Sequence, residues 1–187
     1  MSLAWLRRVA TGRVVLFAAS VFVVFSLIFF NAGPVPAVVE AADVPLLDNR
    51  FAWTQEDAQS FLSALGVEGR RLYGLVLELD TLYAFTFATA GTLLLAWISA
   101  RMLSPTNPLR WVALLPILAG ALDLFENVGI PILLSTFPAV LLTLAGMLGL
   151  VTAAKLVLVN LSFALAVLGP ANVSTLPVYR RLRGSAR

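Results

Sequence analysis

Four long apolar stretches divide the chain, and they predict its architecture. They cover residues 14–30, 72–100, 110–130 and 139–168, with polar segments between them. A hydrocarbon core about 30 Å thick is crossed by roughly 20 helical residues, so each stretch is long enough to span it, the first one narrowly. We therefore predict an all-α fold, a four-transmembrane-helix bundle that forms a single integral membrane domain over residues 1–187.

The polar segment of residues 31–71 contains one amphipathic pattern. Thr54 followed three residues later by Asp57 resembles a capping box, which is typical of a helix N-terminus. Apolar residues then recur on one face of a helix that ends at Gly66: Ala58, Phe61, Leu62 and Leu65. We expect this short helix to lie on the outer membrane surface, as a lid packed on the bundle or as a gate.

Prolines predict where the regular structure is interrupted. Residues 31–44 include Pro34 and Pro36 and are expected to be irregular or extended. In the third span, Pro116 is expected to introduce a kink, and Pro131 is expected to end or bend the helix.

Composition sets the class of protein and limits its chemistry. The chain is 60% hydrophobic and 12% charged, whereas soluble domains are about 25% charged. It contains no cysteine and no histidine, which excludes disulfides, thiol redox chemistry, a Ser-His-Asp site and a histidine-based zinc site. Carboxylate, amide, phenol and amine groups are left for chemistry, so we expect neither a cofactor nor a metal centre.

The charge distribution predicts the orientation of the bundle. Arginines crowd residues 1–13, 101–110 and 180–187, whereas acidic residues predominate in residues 31–71. Since basic residues favour the cytoplasmic side, we predict that both termini and the middle loop are cytoplasmic and that residues 31–71 are extracytoplasmic. Residues 171–187 should then form a basic cytoplasmic tail that contacts anionic lipids.

Polar side chains interrupt three of the four spans, which is unusual because ionisable groups are costly inside a bilayer. They are Asp80 and Tyr83 in the second span, Asp123, Glu126 and Asn127 in the third, and Lys155 in the fourth. At a rise of about 1.5 Å per residue, all of them lie in the outer half of the membrane. Spacings of three and four residues place those within one span on one helix face. We therefore predict an outward-facing acidic cavity lined by these six side chains.

Three interpretations of this cluster stay open. Lys155 could pair with Asp123 or Glu126 and fix the helix register, because buried ion pairs can specify an arrangement. The excess of acidic groups favours instead a cavity that binds a lipid headgroup, a cationic amphiphile or a proton. The third interpretation is an enzyme in which Asp80 and Asp123 form a catalytic dyad. Such a dyad needs its carboxyls within reach of one shared water, whereas a register pair needs Lys155 in contact with a carboxylate.

Two resemblances bear on this choice. Asp80 and Asp123 resemble the paired aspartates of small four-span aspartyl proteases such as the lipoprotein signal peptidases, but Asp123 lacks the arginine that follows the aspartate in that family's Asn-x-x-Asp-Arg motif. The other is carried by three patterns: Gly66-x-x-Gly69-Arg70-Arg71-x-Tyr73, Leu79-Asp80-x-x-Tyr83 and Leu122-Asp123-x-x-Glu126-Asn127. They resemble a group of small uncharacterised bacterial membrane proteins. That likeness covers residues 51–130 and implies a four-helix architecture without a particular activity.

These features together predict a non-enzymatic integral membrane protein that binds a lipid or amphiphile, or that serves as a subunit of a membrane complex. An intramembrane aspartyl hydrolase or protease is the alternative. We expect the protein in the bacterial inner membrane, with membrane lipids and other membrane-protein subunits as its partners, and no nucleic acid.

Overall fold

The computed structural model describes residues 4–139 and 141–173, which fold into helices joined by short connections. Seven α-helices follow one another: α1 (Ala4–Val9), α2 (Gly12–Asn31), α3 (Val35–Ala42), α4 (Gln55–Ala64), α5 (Gly66–Met102), α6 (Leu115–Thr136) and α7 (Leu142–Val173). Two 3-10 turns, Leu47–Asn49 and Pro108–Leu114, complete the elements, and no strand occurs within the described ranges. The all-α prediction is confirmed. That residues 1–187 form a single domain stays a prediction.

Four segments are long and apolar enough to cross a membrane, as predicted. They are Gly12–Asn31, Gly66–Met102, Pro108–Thr136, which includes the preceding 3-10 turn, and Leu142–Leu168. Their outer surfaces carry large exposed apolar side chains, for example Phe17 at 71% and Leu150 at 72% exposure. Such surfaces would aggregate in water and suit a contact with lipid tails, so they support a membrane location.

Of the two prolines of the third span, Pro116 does not act as predicted, and Pro131 does not end the helix, while a bend at Pro131 stays a prediction. Pro116 lies in the first turn of α6, where its missing N–H has no helical partner in any case, so it starts this helix and does not kink it. Pro131 lies inside α6, which continues to Thr136. A proline within a membrane helix is tolerated when neighbouring helices support the backbone, and α5 and α7 both pack on α6.

Two further boundaries differ from the prediction. α5 begins at Gly66 and not at residue 72, because Gly66 adopts a left-handed conformation (φ 62°) that ends α4 and lets the next helix start at once. α7 runs to Val173, so the predicted basic tail, residues 171–187, begins inside a helix. The remainder of that tail, residues 174–187, lies outside the described residues.

The four long helices are arranged around a central pair. α5 packs against α6, α2 packs on α5, and α7 packs mainly on α6. Glycines allow the close approach: a Cβ at Gly129 would lie 2.6 Å from a methyl carbon of Leu148 on α7, and one at Gly120 would lie 3.0 Å from the Cβ of Ala88 on α5. The faces of α5 and α6 that carry the predicted polar residues are thereby buried.

Residues 35–65, which we call the cap, close one end of the bundle. The predicted amphipathic helix is confirmed as α4, with a complete capping box between Thr54 and Asp57. The Thr54 backbone N–H donates to Asp57 Oδ2 at 2.7 Å, and this bond holds the pKa of Asp57 below its ordinary value. The predicted apolar stripe faces the bundle and is buried: Ala58, Phe61, Leu62 and Leu65.

The first part of the cap corrects a prediction. Residues 31–44 were expected to be irregular, but Val35–Ala42 form the helix α3. Pro34 is its N-cap and Pro36 lies in its first turn, where a proline is favoured because the first N–H groups of a helix have no partner within it. These prolines therefore start a helix.

Candidate functional site

Lys155 joins α7 to α6 through two ion pairs. Its Nζ lies 2.8 Å from Asp123 Oδ1 and 2.6 Å from Glu126 Oε2. Lys155 is 6% exposed and Glu126 is fully buried. The spacing of three residues between Asp123 and Glu126 places both carboxylates on the face of α6 that meets α7, so one ammonium group contacts both.

Thr152 and Trp53 link this ion-pair cluster to the cap. The Trp53 indole N–H donates a hydrogen bond of 2.9 Å to Thr152 Oγ1. The Thr152 hydroxyl in turn lies within donating reach of Glu126 Oε1 and of the Leu148 carbonyl oxygen. All these atoms are buried, so the cap is attached to the centre of the bundle by a direct polar connection.

Asp80 belongs to the same cluster. It lies on α5, is 4% exposed, and its Oδ2 accepts a hydrogen bond of 2.9 Å from Asn127 Nδ2 on α6. Its carboxyl group is also a neighbour of the carboxyl group of Asp123. Three helices therefore meet at this cluster: α5 through Asp80, α6 through its three polar residues, and α7 through Lys155.

Asp48 is a member of the cluster that the sequence did not indicate. It lies in the 3-10 turn of the cap, is 3% exposed, and accepts a hydrogen bond of 3.1 Å from the hydroxyl of Tyr73 on α5. It is near enough to act electrostatically on Asp80, Asp123 and Lys155. In the sequence it resembles the other acidic residues of the same loop. The residue that binds it, Tyr73, does stand out in the sequence, as the last residue of the pattern Gly66-x-x-Gly69-Arg70-Arg71-x-Tyr73.

Tyr83 is placed differently from the other five predicted residues. Its ring lies among aromatic side chains, with centroid distances of 5.5 Å to Phe22, 5.6 Å to Phe29 and 5.5 Å to Phe30. Its hydroxyl is close to Ser26 on α2. No hydrogen bond among the described residues joins Tyr83 to a carboxylate, so it serves mainly to pack α2 on α5.

The cluster has a strong excess of acidic groups. Four buried carboxyl groups, those of Asp48, Asp80, Asp123 and Glu126, accompany one buried ammonium group, which pairs with the last two. Charges removed from water are stabilised only by close partners, and each member here has at least one such partner. Within residues 4–139 and 141–173, no group of three or more carboxylates is arranged to hold a metal ion.

Two apolar grooves lie on the sides of the bundle, away from this cluster. The larger has a volume of about 460 Å³ and is formed by α1, α5 and α6, with Trp5, Phe85 and Ala121 among its lining residues. The smaller, of about 340 Å³, is formed by α2 and α5. Phe85, Thr89 and Leu93, which follow one face of α5, line both grooves. The two grooves therefore run along opposite sides of one ridge.

Comparison with known proteins does not identify a relative. No protein-family model matches the chain, and no curated protein and no solved structure matches it. The residues themselves therefore carry the functional interpretation.

Proposed function

We propose that the protein is a non-enzymatic integral membrane protein that binds a membrane lipid or a similar amphiphile along its side. The observation that carries this proposal is the groove of about 460 Å³ between α1, α5 and α6. Sites for small ligands typically have volumes of about 300–1,000 Å³ and mostly apolar linings. A lateral groove of this size and character suits an acyl chain.

The acidic cluster has a different part in this proposal. The sequence predicted an outward-facing acidic cavity, and that cavity stays a prediction. The ammonium group of Lys155 contacts Asp123 and Glu126, while Asp80 accepts from Asn127. Removal of either partner from a buried pair is strongly destabilising, which makes such a cluster suited to fixing one arrangement of helices. We assign to it the attachment of the cap and the register of α5, α6 and α7.

A groove-filling substitution tests the lipid proposal. Ala121 is exposed and lines the larger groove, so Ala121→Phe places a ring where the acyl chain would lie. Val128→Phe is the matched control, since Val128 lies two turns further along α6, is 66% exposed and does not line the groove. After delipidation, native mass spectrometry with added phosphatidylcholine should show bound lipid on the wild type and on Val128→Phe. Ala121→Phe should show much less, and equal retention by all three would contradict the proposal.

An intramembrane aspartyl hydrolase is the second candidate, because Asp80 and Asp123 have neighbouring carboxyl groups. The contact between Lys155 and Asp123 opposes it, since the ammonium group occupies an oxygen that a dyad would offer to water. A hydroxyethylene peptide probe, which mimics the hydrated peptide bond, distinguishes the two. Binding of the probe to the wild type but not to Asp80→Asn would favour the hydrolase.

The orientation and compartment are part of the same proposal. The arginine distribution supports cytoplasmic termini and an extracytoplasmic cap, in a bacterial inner membrane. The exposed apolar faces of α2 and α7 offer a surface to other membrane-protein subunits. Mass spectrometry of the natively purified protein would reveal a bound subunit directly.

A further inference from the structure

The end of the bundle opposite the cap is strongly basic. Residues 1–13 and 95–115 contain five arginines and no aspartate or glutamate. The five are Arg7, Arg8, Arg13, Arg101 and Arg110. Within the part of the chain that the structure describes, none of the ion pairs involves any of them. The positive charge at this end is therefore not compensated by carboxylates.

Two of these arginines share a cleft of about 10 Å³, room for about one water molecule, where α1 meets α5 and the Pro108–Leu114 turn. Arg7 and Arg110 both line it, together with Leu6 and Ser99. Arg110 is 8% exposed, and its Nη2 donates to the carbonyl oxygens of Leu103 and Ala100. Its Nε is buried and has no hydrogen-bond partner among the described residues. Burial of an unpaired charged donor next to a like charge is unfavourable, which points to a missing anionic partner.

The cleft adjoins the larger apolar groove. Leu6 lines both, and the groove continues from it along α5 and α6. Thr92, on the wall of the groove, is 5% exposed, and its hydroxyl has no partner within the described ranges. The arginine-lined cleft and the apolar groove are therefore neighbours with Leu6 between them, and the wall of the groove contains one hydroxyl without a partner among the described residues.

We propose that the cleft and the groove together bind an anionic phospholipid, a proposal that rests on the lipid-binding function given above. The phosphate group lies at the mouth of the cleft, between Arg7 and Arg110, and an acyl chain lies in the groove. Guanidinium groups suit this task because their planar donors bind phosphate oxygens in pairs. Basic pockets between membrane helices on the cytoplasmic side are suited to anionic headgroups. The smaller groove, on the other side of the ridge formed by Phe85, Thr89 and Leu93, accommodates the second acyl chain of the lipid.

The neighbouring arginines provide internal controls. Arg101 is engaged within its own helix, with its guanidinium carbon 3.7 Å from the centroid of the Trp97 ring and its Nη1 donating to the Trp97 carbonyl oxygen at 3.2 Å. Arg8 lies beside Arg7 on α1 and is exposed, but it does not line the cleft. Arg7→Gln and Arg8→Gln therefore remove the same charge from the same helix, and only the first alters the proposed site.

The test is a titration of the delipidated full chain, followed by native mass spectrometry. The added lipids are dioleoylphosphatidylglycerol and dioleoylphosphatidylcholine, with inorganic phosphate as a competitor. We expect the wild type to prefer phosphatidylglycerol severalfold. Arg7→Gln should weaken phosphatidylglycerol binding about fivefold, as expected for one basic residue at an anionic surface. Phosphatidylcholine carries the same phosphate, but its choline group offsets the negative charge, so its binding should weaken clearly less. Arg8→Gln should retain the preference.

Several outcomes would overturn the inference. Equal losses of phosphatidylglycerol binding in Arg7→Gln and Arg8→Gln would mean that the basic end attracts the headgroup through its overall charge and not through a defined site. Displacement of phosphatidylglycerol by millimolar inorganic phosphate would mean that the cleft is an anion site without a lipid chain. Equal binding of both lipids, abolished by Ala121→Phe, would refute the headgroup site and leave the lipid-binding function standing. Absence of both lipids from the wild type would refute that function as well.

Discussion

The backbone of the cap approaches α7 most closely at Gly149 among the described glycines of that helix, and Gly149→Ala tests this contact. A Cβ at Gly149 would lie 2.0 Å from the carbonyl oxygen of Trp53 and 3.1 Å from its carbonyl carbon. Those are backbone atoms, so no rotation of a side chain can relieve the overlap. The added methyl group must displace the Trp53 segment from α7.

The size of the effect follows from the contacts that this displacement disturbs. Overpacking in a well-packed interior costs about 1–3 kcal/mol. Displacement of Trp53 also breaks its 2.9 Å hydrogen bond to Thr152, a contribution of about 1 kcal/mol. An alanine in a helix is favoured over glycine by about 1 kcal/mol, which offsets that loss. We expect the free energy of unfolding to fall by about 1–3 kcal/mol.

Gly146→Ala is the matched control for this experiment. Gly146 lies one turn earlier on α7, and a Cβ there would meet no atom within 4 Å. Only the helix propensity then changes, so this variant should be unchanged or up to about 1 kcal/mol more stable. Denaturant titration in mixed micelles measures both variants, and hydrogen exchange should accelerate in residues 44–65 of Gly149→Ala alone. Changes of the same sign and size in both variants would refute the close approach of the cap.

Three further predictions concern other parts of the fold. Lys155→Met should lower the free energy of unfolding by about 3–5 kcal/mol, because it leaves two buried carboxylates unpaired. The triple variant that also carries Asp123→Asn and Glu126→Gln should recover most of that stability. If it recovers none, these carboxylates are not the partners of Lys155. Because the pKa of Asp57 is lowered in the folded protein, its ionised carboxylate stabilises the fold above about pH 4, and this stabilisation is lost as the pH falls through the lowered pKa. Thermal midpoints of the wild type and Asp57→Asn should therefore converge below pH 4, and a constant difference would contradict this. In intact cells an impermeant maleimide should label Glu56→Cys but not Pro105→Cys, and the reverse pattern would invert the proposed orientation.

The sequence predicted the long helices because their signals are local and repeated. Apolar runs of sufficient length, the Thr54–Asp57 capping box and the stripe that ends at Leu65 each depend on a few neighbouring residues. The sequence does not predict α3, because Pro34 and Pro36 also suit an irregular segment. Whether a proline ends or starts a helix depends on its position in the first turn, and that position was not evident from residues 31–44 alone.

The composition of the polar cluster was only partly predictable. Spacing along α6 and depth along α7 are sufficient to bring Lys155 and its two carboxylate partners to one level of the membrane. Asp48 and Trp53 could not be found in this way, because they reach the cluster only when the cap docks on the bundle. Tyr83 shares a helix face with Asp80 by spacing, but the side chain of Tyr83 turns towards the aromatic residues of α2. Docking and side-chain direction are tertiary properties that periodicity does not contain.

The acidic cluster and the basic end of the bundle differ in how their polar groups are satisfied, and this difference decides where a ligand is expected. Among the described residues of the acidic cluster, two buried atoms lack a hydrogen-bond partner: the neutral amide oxygen of Asn127, and Glu126 Oε2, which has an ion-pair contact of 2.6 Å with Lys155 Nζ instead. At the basic end the unpaired groups include the charged Nε of Arg110 and, on the adjoining groove wall, the hydroxyl of Thr92. An unpaired charged donor is more costly than an unpaired amide oxygen. This difference supports the proposals that the acidic cluster fixes the register of the helices and that Arg7 and Arg110 bind the headgroup of a lipid.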